Sequence, residues 1–214
     1  KKKKESRELA INKKVINLLP EKCYQIHHLA GQSSGQISFE DPLNDLSKNT
    51  SSTLNLIEYG IKKKVKLFLY ASSMSVYGNL LKKKASEHDI CQPLSCYGLG
   101  KLTSEKYLKI FCKKLPFIGM RFFNVYGPGQ DQHAVYSGVV PIMLNKIEAG
   151  EQPVINGDGS QAYDFVYVED VAKANICALE SDIKTGNYNV GTEVQTTIKE
   201  LCDTILDLKK SELK

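Results

Sequence analysis

Val65-Lys66-Leu67-Phe68-Leu69-Tyr70-Ala71-Ser72-Ser73-Met74-Ser75-Val76-Tyr77-Gly78 is the stretch on which the fold turns. Its first seven residues are apolar or aromatic apart from one lysine, the composition of a central strand buried on both faces. The strand opens into small hydroxyl residues and then a glycine. In open α/β sheets, ligands bind outside the carboxyl ends of strands. Two other segments end the same way. Residues 23–28 lead into Ala30-Gly31-Gln32-Ser33-Ser34-Gly35, and residues 117–123 lead into Asn124-Val125-Tyr126-Gly127-Pro128-Gly129. If the three strands are neighbours, their ends form one crevice.

Working outward, apolar spacing predicts helices over residues 9–19, 43–59, 96–114, 138–149, 170–179 and 198–208. Strands are expected over 23–28, 65–71, 117–123, 153–156, 165–168 and 188–190, with a loop over 79–95 and a turn at Gly157-Asp158-Gly159. Strands alternating with helices of 10–20 residues predict an α/β protein with a mainly parallel sheet covered on both faces.

The helix after the central strand carries Tyr97-Gly98-Leu99-Gly100-Lys101. Tyr and Lys four apart share a helix face, so the ammonium is expected to lower the phenol pKa from about 10. A phenol tuned in this way moves protons near neutral pH. The spacing alone is weak, because 11 tyrosines and 27 lysines in 214 residues produce one or two such pairs by chance. Tyr59-x-x-x-Lys63 is a second pair, and it runs into the solvated-looking Lys62-Lys63-Lys64. Gly98 and Gly100 each cost about 1 kcal/mol relative to Ala inside a helix. Two beside Tyr97 therefore ask for a close approach of ligand or backbone.

At 42% hydrophobic residues the chain can form a real core. No apolar run approaches the roughly 20 residues that cross a bilayer, and Lys1-Lys2-Lys3-Lys4-Glu5 has no apolar stretch behind it. A soluble, cytoplasmic protein is expected, with no membrane partner. The +5 net charge comes from short lysine clusters without interleaved aromatics, which read as solvated edges and not as a nucleic-acid surface. Six cysteines show no Cys-x-x-Cys pair and no zinc spacing, so they are expected to be reduced thiols, and no metal is expected. The four histidines have no paired nucleophile and read as structural or exposed.

His28-Leu29-Ala30-Gly31-Gln32, Asn49-(x)3-Thr53-Leu54-Asn55-Leu56, Ser72-Ser73-x-x-Val76-Tyr77-Gly78 and Tyr97-x-x-x-Lys101 together resemble the extended short-chain dehydrogenase/reductase family. The runs Arg121–Asp131 and Gly157–Val171 resemble its nucleotide-sugar epimerase/dehydratase branch. Order and spacing agree from about residue 22 to 208. The resemblance implies a Rossmann-like doubly wound parallel sheet, truncated at its N-terminus, with a smaller C-terminal substrate-binding part. On that reading residues 1–125 are a partial NAD-binding domain. Residues 126–214 are a mixed substrate region with returning Rossmann elements. NAD is the implied cofactor, a nucleoside-diphosphate sugar the substrate, and a homodimer through helices 43–59 and 96–114 the assembly.

The same resemblance assigns roles. Tyr97 is the acid/base, Lys101 tunes it and binds the nicotinamide ribose, and Ser73 holds the reacting sugar oxygen. Leu29, Ala30, Gly31, Gln32, Asn49, Ser72 and Phe122 join Tyr97 and Lys101 around the cofactor. Ser73, Ser75, Asn124, Val140, Asn156 and Tyr163 contact the substrate. Two plainer readings stand beside this one: Ser72 and Ser73 could simply end a strand, and Gly157–Gly159 could be only a hairpin turn. The family's opening strand, Gly-x-x-Gly-x-x-Gly loop and helix have no counterpart here, so the chain reads as the middle of an enzyme.

Tyr163 stands where many relatives place an Arg for the diphosphate. Only Arg7 and Arg121 remain in the chain, which leaves the phosphate partner open. Dehydratases of this branch carry Asp-Glu after the residue matching Ser73, and here Met74 and Ser75 occupy those places. Neither is an acid or base at neutral pH. Epimerisation at C4 of a UDP-hexose, UDP-N-acetylhexosamine or UDP-hexuronate is the expected reaction. A dehydrogenase or 4-keto reductase, or an inactive binding remnant, are the alternatives.

Overall fold

The computed structural model describes residues 11–80, 84–130, 138–183 and 185–209. In chain order the first elements are α1 (Lys13–Ile16), β1 (Gln25–His28), α2 (Gly35–Glu40), α3 (Pro42–Leu46), a π-helical turn (Ser47–Ser51) and α4 (Ser52–Lys62). β2 (Leu67–Ser73), a 3-10 turn (Met74–Val76), α5 (Cys96–Phe111), β3 (Phe117–Phe122), β4 (Asn124–Tyr126) and α6 (Val139–Glu148) follow. The chain continues through β5 (Ala162–Tyr163), β6 (Phe165–Tyr167), α7 (Val168–Glu180), β7 (Thr185–Val190), β8 (Thr196–Thr197) and α8 (Ile198–Lys209).

These elements form two compact units. The first takes the described residues up to Arg121 together with Glu180–Asn189; the second takes Phe122–Leu179 and the described residues from Val190 onward. The first is built on a four-stranded sheet in the order β1-β2-β3-β7. β1 and β2 run parallel in the register Gln25 to Leu67 through His28 to Tyr70. All of β2 except Leu67 is buried, as the run Phe68–Ala71 predicts for a strand covered on both faces. Its core gathers Ile26, Leu56, Ile57, Phe68, Leu108, Leu115 and Phe117. Those residues come from β1, α4, β2, α5, the connection after α5 and β3, so one apolar cluster holds the sheet to its helices.

The second unit pairs β4 parallel to β6 and β5 antiparallel to β8. Its apolar cluster joins Met143 and Ile147 of α6 to Cys202, Ile205 and Leu206 of α8. Among the described residues no helix is long and apolar enough to cross a membrane.

Most expected elements are present within a few residues of their forecast ends. Three differ. The first helix shrinks to four residues, because Asn12 caps it by accepting from the Lys14 and Val15 amides; residues 9 and 10 of the forecast lie outside the described residues. The strand forecast over 153–156 is not a strand, with Val154 exposed beside the Gly157–Gly159 turn, where both glycines take positive φ. The segment after β3 forms β4 before its glycine turn, since Asn124 through Tyr126 find Phe165 through Tyr167 as ladder partners.

Candidate active site

The carboxyl end of β2 is locked by its own hydroxyls. Ser73 caps the 3-10 turn, its Oγ accepting from the Ser75 amide at 3.2 Å and lying 3.1 Å from Ser75 Oγ. Helix α5 starts against this turn. Ser95 caps it by accepting from the Gly98 amide, and a Cβ on Gly98 would lie 2.5 Å from the Ser75 carbonyl oxygen. Only a residue without a side chain allows that approach, which brings the first turn of α5, and with it Tyr97, onto the Ser73–Ser75 turn. Two residues on, Gly100 faces Thr50 and Asp45, and its carbonyl accepts from Thr50 Oγ1 at 3.2 Å. Gly98 is thus required by the backbone it meets, whereas a Cβ on Gly100 would make only ordinary contacts, 3.4 Å from Thr50 Oγ1 and 3.5 Å from Asp45 Oδ2.

Tyr97 and Lys101 are both buried. Lys101 Nζ donates to the Ala71 carbonyl at 2.7 Å and lies 5.1 Å from the Tyr70 ring centroid and 5.6 Å from that of Tyr97. Burial lowers its pKa to about 8, against the opposing charges of Asp45 and Glu105. The expected lowering of the Tyr97 pKa is not what the geometry produces. Burial raises it, hydrogen bonding to Ser73 pulls it back, and the charge of Asp45 raises it further. Desolvation of the phenolate outweighs the ammonium, which is directed to a backbone carbonyl and to the ring faces instead of the hydroxyl.

Beneath this pair lies a polar layer that the motifs only partly announced. Asn49, in the π-helical turn, donates from Nδ2 to the Gln32 carbonyl at 3.1 Å and to Asp45 Oδ1 at 2.9 Å. Gln32 Nε2 donates to the same carboxylate oxygen at 3.0 Å. Asn49 Oδ1 is buried without a hydrogen-bond partner, and a Cβ on Gly31 would lie 2.6 Å from it. A bare glycine above an unpartnered buried acceptor makes a cradle for a ligand's hydroxyl or amide donor. π-helical turns frequently occur at functional sites. Leu29 and Ala30 lie exposed between β1 and this cradle.

His28 sits behind the layer. Thr53 Oγ1 donates to the Asn49 carbonyl at 2.7 Å, so its contact with His28 Nε2 at 3.0 Å is one in which the imidazole N–H donates. Burial, and then the Lys101 charge, lower the His28 pKa from 6.5 to about 3. A histidine neutral in the fold but ionisable when unfolded stabilises the fold above pH 6.5 and loses that contribution as pH falls from 6.5 toward 3. Each unit costs up to roughly 1.4 kcal/mol. Denaturant unfolding between pH 6.5 and 4 is therefore expected to steepen by nearly one proton relative to His28→Gln; equal slopes would remove the assignment.

One helical turn beyond Lys101 on α5, Glu105 Oε1 accepts from Ser72 Oγ at 2.5 Å, so this hydroxyl is committed to a carboxylate. Glu105 also binds Arg121 in two places, at 3.0 Å from Nε and 2.7 Å from Nη2, and accepts from Asn187 Nδ2 at 3.0 Å. Arg121 Nη1 reaches the Tyr77 hydroxyl at 2.8 Å, and that hydroxyl donates to Asn189 Oδ1 at 2.6 Å. Burial works against the guanidinium, yet the bonds and charge of Glu105, with Tyr77, hold its pKa above the ordinary value. Arg121 is committed inside the first unit, where its guanidinium neutralises a carboxylate.

In the second unit, Asn124 Nδ2 donates to the Asp164 carbonyl at 3.2 Å. The Asp164 carboxylate accepts from the Thr192 amide and hydroxyl and from the Glu193 amide. A cleft of about 720 Å³ is lined by Tyr126, Pro128, Val140, Phe165, Tyr167 and Leu201 among others. Val140 lines it; Asn124, Asn156 and Tyr163 do not. Asn156 is exposed, with its carbonyl accepting from Gln161, and Tyr163 packs edge-on against Phe165. Phe122 is half-buried at the end of β3. Among the described residues no group of three or more His, Cys, Asp or Glu could hold a metal.

Residues 5–191 match the NAD dependent epimerase/dehydratase family. The chain is 38% identical over 181 residues to a putative UDP-glucose 4-epimerase of Methanocaldococcus jannaschii, covering 83% of this chain and 58% of that protein. It is 37% identical over 179 residues to the UDP-glucose 4-epimerase of Mycolicibacterium smegmatis, covering 82% and 57%. The chain therefore spans less than three fifths of these curated relatives. Among solved structures it is similar to a UDP-N-acetylglucosamine 4-epimerase from Methanobrevibacter ruminantium in complex with UDP-N-acetylmuramic acid, with TM-score 0.86 and 36% identity, covering 88% of this chain and 61% of that one. A UDP-glucuronic acid 4-epimerase from Bacillus cereus in complex with UDP-glucuronic acid and NAD gives TM-score 0.87 at 27% identity, covering 97% and 66%. With an α/β sheet of the same kind and the Ser73, Tyr97 and Lys101 side chains placed at the end of its buried central strand, the chain belongs to the NAD dependent epimerase/dehydratase family.

Proposed function

We propose that this chain inverts C4 of a nucleoside-diphosphate sugar, a UDP-hexose, UDP-N-acetylhexosamine or UDP-hexuronate, by transient oxidation to the 4-keto sugar. The observation that carries the proposal is the contact of Gly98 with Ser75, which sets Tyr97 beside Ser73 while positions 74 and 75 offer no carboxylate for dehydration. The Gly31–Asn49 cradle and Lys101 suit the nicotinamide ribose half of NAD, which supplies a hydride acceptor and donor when bound. Tyr97 takes the proton of the sugar 4-hydroxyl and later returns it. Ser73 holds that oxygen, with Ser75 orienting the Ser73 hydroxyl. Lys101, buried beside the ring, carries its positive charge below about pH 8.

Val140, Asn124, Asn156 and Tyr163 belong to the substrate side of this proposal, carried by residues 126–214, and residues 1–125 carry the cofactor side. Exposed Leu43 and Leu46 on α3 and Leu99 on α5 support a homodimer. Six free cysteines suit the reducing cytoplasm. Incubating the protein with NAD and each UDP-sugar, and following the C4 proton by NMR, tests the reading. Inversion of one sugar without net NAD reduction is the expected result. Stoichiometric reduction of NAD would make the protein a dehydrogenase instead, and no turnover of any UDP-sugar by the chain or any longer form of it would end the proposal.

A further inference from the structure

We propose that Asp45 is the positioning residue of this site: its carboxylate fixes the Gln32 and Asn49 amides and supplies the negative charge that holds the Lys101 ammonium. Asp45 is 1% exposed on α3, a place where an acid is costly unless its charge is answered. The Gln32 and Asn49 amides that donate to it favour the ionised form, and so does Lys101, although burial still holds its pKa above the usual carboxylate value. Lys101 is the cation of this cluster: a Cβ on Gly31 would lie 2.6 Å from Asn49 Oδ1 and 3.8 Å from Lys101 Nζ, and one on Gly100, the residue before Lys101, 3.5 Å from Asp45 Oδ2.

The groups facing that ammonium are few. Tyr70 and Tyr97 present ring faces. His28 is neutral, its own ionisation opposed by Lys101. Glu105 is bound on both oxygens by Arg121, so a cation already answers its charge. Asp45 has no such cation, and it acts on Lys101 more strongly than Glu105 does. Asp45 also sets the Asn49 amide: with Nδ2 held by Asp45 and by the Gln32 carbonyl, Oδ1 is the atom left beneath Gly31. One carboxylate therefore governs both the charge and the acceptor that the cradle offers. The inference rests on the proposed site but not on its turnover.

The test is the titration of Lys101 by NMR in protein carrying isotope-labelled lysine, with no sugar or NAD present. The Lys101 resonance is assigned by comparison with Lys101→Arg. In Asp45→Asn the Lys101 midpoint is expected to fall by a pH unit or more, a tenfold loss in protonation constant. In Asp45→Glu it stays near that of the parent. An unchanged midpoint in folded Asp45→Asn overturns the proposal. Should Asp45→Asn not fold, Lys101→Met supplies the reciprocal measurement: coupling is mutual, so the Asp45 carboxyl must then titrate at least tenfold more weakly as an acid, and no change there overturns the proposal as well. Where the protein turns over, Asp45→Asn moves the pH profile of kcat while KM for the sugar stays within about twofold. A chain that does not epimerise can still pass or fail the titration.

Discussion

Tyr97→Phe is expected to slow C4 inversion by roughly 10²- to 10⁴-fold, the range that positioned general acid–base groups contribute. The loss falls on kcat, because the ring keeps its buried place and its contact with Lys101 while only the hydroxyl disappears. NMR rates at saturating sugar check it, and residual activity above a tenth of the parent would remove Tyr97 from the chemistry. The pH profile carries a second, signed expectation. Burial raises the Tyr97 pKa, so the phenolate accumulates only on the alkaline side and the rising limb of activity lies there. Hydrogen bonding to Ser73 opposes that rise, so Ser73→Ala should shift the limb to still higher pH. A shift toward acid would contradict the geometry.

The largest loss of stability is expected from Glu105→Ala. This change leaves the Arg121 guanidinium, 4% exposed, without its counter-charge and removes the partner of Ser72 and Asn187. Breaking one member of a buried pair costs about 3–5 kcal/mol. At 2–4 °C for each kcal/mol in a protein of this size, the melting point should fall by about 10 °C. Joint replacement of Glu105 and Arg121 by Met is expected to recover much of the loss, since no unpaired charge remains. Thermal and urea unfolding decide it. A loss below about 1 kcal/mol would show that water reaches Arg121 and replaces the carboxylate.

Much of this molecule was legible in its chain. The apolar run through Phe68–Ala71 forecast the buried central strand, and the small residues behind it forecast where a ligand would sit. Tyr97 and Lys101 became more than a chance pair through Ser73, Gly98 and Gly100. In the polar layer Gln32 and Asn49 follow from the family resemblance, whereas Asp45 and Glu105 do not, because buried acids look, in sequence, like solvated helix faces. A signal was present nonetheless: Tyr97, Lys101 and Glu105 follow one another at four-residue steps, a polar stripe on a face that must meet the sheet. Asp45 and Asn49 repeat that step. The sign of the Tyr97 shift was missed for a different reason. Helix spacing places an ammonium near a phenol but says nothing of how much water each loses, or that Lys101 would find the Ala71 carbonyl first.

The π-helical turn at Ser47–Ser51 acts as a phase shifter. Successive residues on a helix advance by about 100° around its axis, and the wider turn takes up one extra residue where α3 meets α4. Removing a single residue there would let the turn rewind as ordinary α-helix, so Leu56, Ile57 and Tyr59 would keep their face on the core, while the residues inside the turn would be re-aimed and Asn49 would no longer lie under Gly31. The extra residue thus bears on the acceptor of the cradle and not on the apolar face of α4, so a one-residue deletion in 47–51 should cost the cradle while the core cluster persists.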